Sequence, residues 1–252
     1  MARPKRAKSP GEKDPVRIVS VQPDYLVVDK RAGFLVHATP HSNSPTVLDR
    51  LRAEFGFVRA VHRLDRMVSG LLVFARNETS FERLVASFAA HRVERRYLAA
   101  VRNPLATFSG VFRSHLAQNR GSLRMYATTP DRGRRAVTHW WKVEDLRDGA
   151  LVEVVLETGV KNQIRAQFAE AGHPLWGEQK YLAPGEPDAS SIQTKRLFLH
   201  AVVLGFAEPD SGRKVEWESP LPEELVRWSK QPDRPPTLPR SARRSRGHRS
   251  RP

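Results

Sequence analysis

The chain has 252 residues, of which 39% are apolar, a composition that suits a packed core and argues against a wholly disordered protein. It contains no cysteine, which excludes disulfides, thiolate catalysis and cysteine-ligated metals. Its 43 basic and 27 acidic residues give a net charge of +16, which favours nucleic acid as a partner, with an anionic membrane surface second. The sequence shows neither the apolar core of a signal peptide nor a membrane-spanning run, so we expect a cytoplasmic protein.

Much of the positive charge lies near the two ends of the sequence. Residues 1–17 carry six basic side chains against two acids, and residues 234–252 carry seven arginines and no acid. Both segments predict disordered tails that strengthen RNA binding through phosphate charge without selecting a site, and a merely solubilising tail is the alternative. Residues 18–233 keep a net charge of only +5, which argues against a generic nucleic-acid-packaging protein. We expect them to form one domain.

Short apolar runs bounded by turn residues alternate with helical spacing along this domain. The predicted strands are 25–29, 34–37, 71–74, 97–101, 136–141, 151–156 and 197–204. The predicted helices are 47–55, 79–90, 163–171 and 222–229, the last with Pro222 in its first turn. This pattern predicts an α+β fold.

The densest polar cluster among these runs is His62-Arg63-Leu64-Asp65-Arg66, followed by Ser69-Gly70 and an apolar strand. Arginines flank Asp65, and nearby positive charge favours an ionised carboxylate, so Asp65 suits a nucleophile or a base better than an acid. On its own, a His-Arg-Leu-Asp tetrapeptide is more typical of a surface loop with a local ion pair.

The stretch 62–70, His-Arg-Leu-Asp-x-x-Val-Ser-Gly, resembles the H-R-L-D-x-x-T-S-G signature of the RluA-type pseudouridine synthases, which isomerise uridine to pseudouridine in structured RNA. Six further blocks resemble motifs of that family in the same order. They are residues 25–37, 95–98, 158–165, 172–177, 199–201 and 219–222. The seven blocks span roughly residues 18–228, and their shared order makes the resemblance specific although each block alone is weak.

The resemblance implies a single domain built on a large mixed, mainly antiparallel sheet with flanking helices and a central active-site cleft. It also implies three catalytic residues. Asp65 attacks the target nucleotide, by bonding the sugar, adding to the base or removing a ribose proton. Tyr97 lies against the flipped base and assists proton movement at C5, and Arg165 pairs with Asp65. Without the resemblance, Tyr97 would be interpreted as a core aromatic and Arg165 as a solvated cation.

A stacked target base must leave its RNA helix, and the resemblance implies that Arg63 fills the gap that the base leaves. The other residues expected to bind substrate come from the same blocks. They are His62, Leu64, Ser69, Gly70, Gln163, Leu199 and His200. We expect no metal and no organic cofactor, since substrate and product contain the same atoms. Only His37 and His41 stand four residues apart, and Pro40 between them disfavours a helical pair of metal ligands.

Three positions depart from the family pattern: Val68 replaces a threonine, Val160 an arginine and Asn162 a histidine. They support one alternative, a catalytically silent synthase-derived RNA-binding or ribosome-assembly factor. The three retained catalytic residues favour the enzyme, an isomerase acting on ribosomal RNA, with transfer RNA as the second candidate. The 17 residues ahead of the domain are too few for the additional RNA-binding domain that many relatives carry. We expect a monomer that needs no protein partner and contacts no membrane.

Overall fold

The computed structural model describes residues 14–39, 42, 44–182 and 196–229. Within them the strands are β1 (Val16–Val21), β2 (Tyr25–Lys30), β3 (Arg59–Ala60), β4 (Ser69–Ala75), β5 (Glu94–Arg102), β6 (Ser109–Gln118), β7 (Met125–Thr128), β8 (Arg134–Leu146), β9 (Gly149–Leu156), β10 (Leu199–Ala207) and β11 (Lys214–Glu218). The helices are α1 (Val47–Phe55), α2 (Glu78–Ala89), α3 (Gln163–Glu170) and α4 (Glu223–Ser229). The proposed tails lie outside the described residues, apart from residues 14–17, where β1 begins at Val16.

All eleven of these strands join one sheet in the order β1-β2-β4-β10-β5-β9-β8-β6-β7, with β3 paired to β4 and β11 to β10. The pairs are antiparallel except for β4 and β10, which run parallel where Ser69 faces His200. The predicted α+β fold with a large mixed, mainly antiparallel sheet and flanking helices is thus confirmed. Strand β10, close to the end of the described chain, occupies the centre of the sheet between β4 and β5.

The sheet carries hydrophobic cores on both faces, because side chains alternate along each strand. On β2, Leu26 and Val28 point to a core that includes residues of α1 and α3. Tyr25 and Val27 point to a second core, which includes Leu84 of α2. The loop 61–68 buries Leu64 and Val68 in the first core, which places this loop on the same face as α1 and α3.

The predicted strand 34–37 is wrong, although its composition is strand-like. The carbonyls of Leu35 and Val36 accept hydrogen bonds from Val47 N and Leu48 N at 2.9 and 3.0 Å, in the first turn of α1. These amides have no partner within the helix, so the segment hydrogen-bonds to the amino-terminal end of α1 and does not pair with a strand. The other predicted strands and all four predicted helices are confirmed. Strands β1, β3, β6, β7 and β11 were not predicted.

Strand β4 lies close against β10 at Gly70, which pairs with Ala201. The φ of Gly70 is +113°, and a β-carbon there would lie 2.3 Å from the carbonyl oxygen of Ala201. We therefore expect Gly70→Ala to lower the free energy of unfolding by about 3 kcal/mol, from backbone strain and overpacking together. Urea unfolding measures this, with Gly121→Ala as the control, since a β-carbon at Gly121 meets no atom closer than 3.5 Å. Equal stability of the two variants would contradict the close approach.

Candidate active site

Asp65 lies in the loop between β3 and β4 and is held from both sides. Leu64 and Val68 are 5% and 2% exposed and anchor the loop in the core, whereas the Asp65 side chain keeps 21% exposure. The amide of Val68 donates to the Asp65 carbonyl at 3.1 Å and closes a turn. The loop therefore presents one carboxylate to solvent from a fixed backbone.

Lys30 holds this loop through a hydrogen bond from its buried side chain. Its side chain is fully buried, and Nζ donates to the carbonyls of Arg31 and Phe34 at 2.9 Å and of Arg66 at 3.2 Å. Burial lowers the pKa of Lys30 to about 7, with Arg196 adding to the effect while Asp65 and Asp29 oppose it. This residue was not among those predicted to form the site. The signal that could have found it is its position two residues after Val28, on the same face of β2 as Leu26 and Val28.

Arg165, on α3, lies between Asp65 and a second carboxylate, Glu178. Its Nη1 donates to Asp65 Oδ2 at 3.1 Å, while Nε and Nη2 each donate to Glu178 at 2.7 Å. The Glu178 side chain is completely buried. Burial lowers the pKa of Arg165, but the hydrogen bonds and charges of Glu178 and Asp65 outweigh it and raise the net pKa above its ordinary value. The fork to Glu178 fixes the guanidinium, and its free edge then meets Asp65.

Asn162 supplies a further donor to the same carboxylate. With its amide oriented to satisfy its neighbours, the nitrogen donates to both Asp65 oxygens, at 3.0 and 2.5 Å, and the oxygen accepts from Tyr181 Oη at 2.8 Å. The opposite orientation would point an amide oxygen at the carboxylate. The backbone of Asn162 is left-handed, at φ 52°, a conformation that asparagine tolerates. The departure from the family's histidine thus keeps a nitrogen donor beside Asp65.

Tyr97, on the central strand β5, faces the same core as Leu64 and is 6% exposed. Burial raises the pKa of Tyr97, the charge of Asp65 raises it further, and Arg95 opposes both. The hydroxyl is therefore protonated at neutral pH. The three catalytic residues implied by the resemblance converge on one face of the sheet.

Ser69 and His200 belong to a buried chain of hydrogen bonds and not to the exposed surface. Arg196 Nη2 donates to Ser69 Oγ at 2.6 Å, and Ser69 Oγ lies 2.7 Å from His200 Nδ1. His200 Nε2 lies 3.2 Å from Ser219 Oγ, which donates to Asp29 at 2.7 Å. Burial is the main cause that lowers the pKa of His200 to about 4, so the ring is neutral. A neutral ring can accept a hydrogen bond from Ser69 and donate one to Ser219, so that every bond from Arg196 to Asp29 runs in the same direction.

Of the remaining residues proposed to bind substrate, one is exposed and the others are buried or hydrogen-bonded within the protein. Arg63 is exposed, 3.5 Å from His37 Nε2. His62 accepts from Val73 N at 3.1 Å, and burial lowers its pKa to about 3. Gln163 is buried and bonded to neighbouring side chains and backbone. Leu64, Gly70 and Leu199 are also buried. Direct RNA contact stays a prediction for all of them, and Arg63 has the geometry for it.

Residues that the sequence analysis missed complete the site. Glu178 and Tyr181 lie in the loop after α3, and no local pattern marks either of them as a partner of Arg165 or Asn162. Across the described ranges, no three histidine or acidic side chains are grouped to hold a metal ion. No helix in that part of the chain has the length and apolar character needed to cross a membrane.

The lowered pKa of Lys30 makes stability depend on pH. Above about pH 7 the folded protein has released a proton that the unfolded chain keeps until about pH 10.4. Stability rises with pH wherever the unfolded state binds more protons. Between about pH 7 and pH 10.4, the free energy of unfolding of the parent should increase with pH. We expect the difference between the parent and Lys30→Met to grow by about 1.4 kcal/mol per pH unit. Urea unfolding across this range tests it. A difference that is constant with pH would mean that the three carbonyls keep Lys30 charged.

The buried Glu178 makes the Arg165 pair testable by a double-mutant cycle. Arg165→Met leaves a buried carboxylate without its cation and should cost about 3–5 kcal/mol of stability. Adding Glu178→Gln removes that charge and should recover at least half of the loss. Arg213→Met is the control, because this exposed arginine pairs with Glu208 at the surface and should cost less than about 1 kcal/mol. Additive losses in the double variant would contradict the coupling.

The chain is similar to known proteins over most of its length. A family model described as RNA pseudouridylate synthase matches residues 24–170. The chain is 36% identical over 212 residues to the RNA pseudouridine synthase YlyB of Bacillus subtilis, covering 81% of this chain and 68% of that protein. It is 32% identical over 236 residues to the ribosomal large subunit pseudouridine synthase D of Zymomonas mobilis, covering 88% and 74%.

Solved structures show the same fold. Human RNA pseudouridylate synthase domain containing 1 superposes with a TM-score of 0.70 at 26% identity, over 86% of this chain and 89% of that one. A second human protein, domain containing 4, gives a TM-score of 0.68 at 21% identity, over 83% and 90%. The match that begins one residue before β2 and ends with α3 includes the loop of Asp65, the strand of Tyr97 and the helix of Arg165. The chain therefore belongs to the RNA pseudouridylate synthase family, whose members are isomerases acting on RNA.

Proposed function

We propose that this protein isomerises uridine to pseudouridine in ribosomal RNA of the large subunit. The observation that carries the proposal is the Asp65 carboxylate, partly exposed, held by Arg165 and Asn162 and close enough to Tyr97 to raise its pKa. Support for the RNA target comes from relatives in Zymomonas mobilis and Pasteurella multocida, which are 32% and 33% identical and are named for the large ribosomal subunit.

In the proposed reaction the bond between N1 of uracil and C1′ of ribose breaks, the base rotates, and a bond from C5 to C1′ forms. The proton on C5 leaves and N1 gains one, so the atoms balance without a co-reactant. Asp65 acts as an ionised carboxylate, whether it bonds the sugar, adds to the ring or removes a ribose proton. Two donors, Arg165 and Asn162, hold its oxygens in place.

Tyr97 offers two groups to the flipped base in this proposal. Its ring provides an aromatic surface, and its hydroxyl, whose pKa is raised by burial, hydrogen-bonds with the base and assists proton movement at C5. Arg63, which is exposed beside His37, fills the space in the RNA helix that the base leaves.

A catalytically silent binding factor is not favoured, because the departures Val68, Val160 and Asn162 leave the carboxylate and its partners in place. Transfer RNA is the second candidate substrate. As part of the same proposal, the protein acts in the cytoplasm as a monomer and uses no cofactor.

We expect Asp65→Asn to lower the rate of isomerisation by more than about 10³-fold, because the amide keeps the shape but lacks the ionised oxygen. RNA affinity should stay within about twofold of the parent. Tritium release from 5-tritiated uridine, in large-subunit ribosomal RNA fragments and in transfer RNA, measures the reaction and the choice of RNA.

The matched control is Asp131→Asn, an exposed aspartate whose side chain is 72% accessible. It should react at the parent rate. An Asp65→Asn protein that turns over ribosomal RNA like this control would refute the role of Asp65, and a parent that modifies only transfer RNA would refute the ribosomal target.

A further inference from the structure

Arg95 is a buried guanidinium without a carboxylate partner. It precedes Tyr97 by two residues on β5 and is 9% exposed. Its Nη2 makes two long contacts, of 3.4 Å each, to the carbonyls of Leu156 and Thr158, and its Nε has no hydrogen-bond partner. The guanidinium carbon lies 5.6 Å from the centroid of the Phe88 ring, a contact that brings no negative charge. Within the described ranges, no acidic side chain pairs with it. A buried charge without a counter-ion is destabilising.

The neighbouring residue shows how this chain otherwise treats a buried arginine. Arg96 is 6% exposed and contacts Glu94 at 2.9 Å and Glu216 at 3.2 Å. Burial alone therefore does not explain why Arg95 lacks an anion. An anion from outside the chain would supply the missing charge.

A cavity of about 390 Å³ opens beside Arg95, at the start of β5 and the end of β9. Its charged and titratable lining residues are His91, Arg92, Glu94, Arg95, His139 and Glu157. Both acids are already paired, Glu94 with Arg96, and Glu157 with Arg135 at 2.8 Å and His139 at 3.3 Å. Among the described residues, Arg92 and Arg95 are the lining arginines that lack an acidic partner, so the cavity favours an anion.

Gly159 leaves the space that the guanidinium occupies. A β-carbon at this position would lie 2.8 Å from Arg95 Nη1. The backbone of Gly159 is not left-handed, so its conformation does not itself require glycine. Glycine at this position therefore leaves room for the Arg95 side chain.

Arg95 lies close to a catalytic residue. It and Tyr97 are two residues apart on β5 and therefore project to the same side of the strand. The charge of Arg95 lowers the pKa of Tyr97 against the larger effect of burial, and it adds to burial in lowering the pKa of His62. An anion beside Arg95 would therefore lie near the nucleotide handled at Asp65. In RNA the anion repeated at every nucleotide is the backbone phosphate, whose oxygens match the fork of a guanidinium.

We propose that the cavity beside Arg95 binds one backbone phosphate of the RNA, adjacent to the target nucleotide. This proposal rests on the proposed function, since it takes RNA as the ligand. Arg95 supplies its unpartnered Nε edge, and Arg92 adds a second, exposed charge.

The test compares Arg95→Met, which removes the charge, with Gly159→Ala, which displaces the guanidinium and keeps the charge. For Arg95→Met we expect about tenfold weaker binding of a large-subunit ribosomal RNA fragment at low salt. The slope of log affinity against log salt should fall in magnitude by about 0.7–0.9, the value for one phosphate contact. Gly159→Ala should weaken binding in the same direction by a smaller factor. Arg213→Met, which removes an exposed arginine already paired with Glu208, should leave affinity and slope unchanged.

Stability separates this role from a structural one. Removing an uncompensated buried charge should leave the melting temperature of Arg95→Met equal to that of the parent or higher. Inorganic phosphate stabilises folded proteins in general, but compared with chloride at equal ionic strength it should raise the melting temperature of the parent by more than that of Arg95→Met. A lower melting temperature with an unchanged salt slope would overturn the proposal, because Arg95 would then only bridge the carbonyls of Leu156 and Thr158.

These measurements need no turnover, so their failure is distinct from failure of the proposed function. If the salt slope falls as expected but the parent leaves uridine unchanged, the phosphate site stands and the proposed reaction fails. If the parent isomerises uridine and Arg95→Met keeps the parent's slope, the reaction stands and the phosphate site fails.

Discussion

The site depends on one guanidinium shared by two carboxylates. Arg165 reaches Glu178, 13 residues further along the chain, and Asp65, 100 residues earlier. Its three donor nitrogens are divided between them, with two on Glu178 and one on Asp65. Glu178 is buried and meets no solvent, so its contribution is to fix the plane of Arg165. The direction from which Arg165 meets Asp65 is therefore set inside the protein, before any RNA binds.

Several polar motif residues make hydrogen bonds that hold the framework of the site. His62 and His200 have pKa values lowered to about 3 and 4, mainly by burial, so both rings are neutral throughout the physiological range. One accepts from the backbone of β4, and the other joins β4 and β10 to the segment after β11. A sequence motif does not separate a residue that touches substrate from one that shapes the loop, because both are needed for the same geometry.

The sequence was sufficient where information is local or lies in an ordered motif. Apolar runs located the central strands, and the motif blocks located Asp65, Tyr97 and Arg165. Strand 34–37 was wrong because its carbonyls bind a helix end, a tertiary contact that composition does not encode. Glu178 and Tyr181 were missed because their partners come from other segments of the chain. Lys30 could have been predicted, since strand alternation places it on the same face of β2 as the apolar Leu26 and Val28.

The central position of β10 has a consequence for how the protein is made. Strands β4 and β5 are separated by 18 residues of chain but are not neighbours in the sheet, because β10 lies between them. During synthesis, the edges of β4 and β5 that pair with β10 lack this partner until residues 199–207 emerge, although the short strand β3 pairs with β4 at Phe74 and Ala75. Pairing a strand with partners this far away in sequence is slow, because the chain loses the entropy of the intervening loop before the new contacts stabilise the sheet. The Asp65 loop, which leads directly into β4, is therefore fixed late, when most of the chain has been translated.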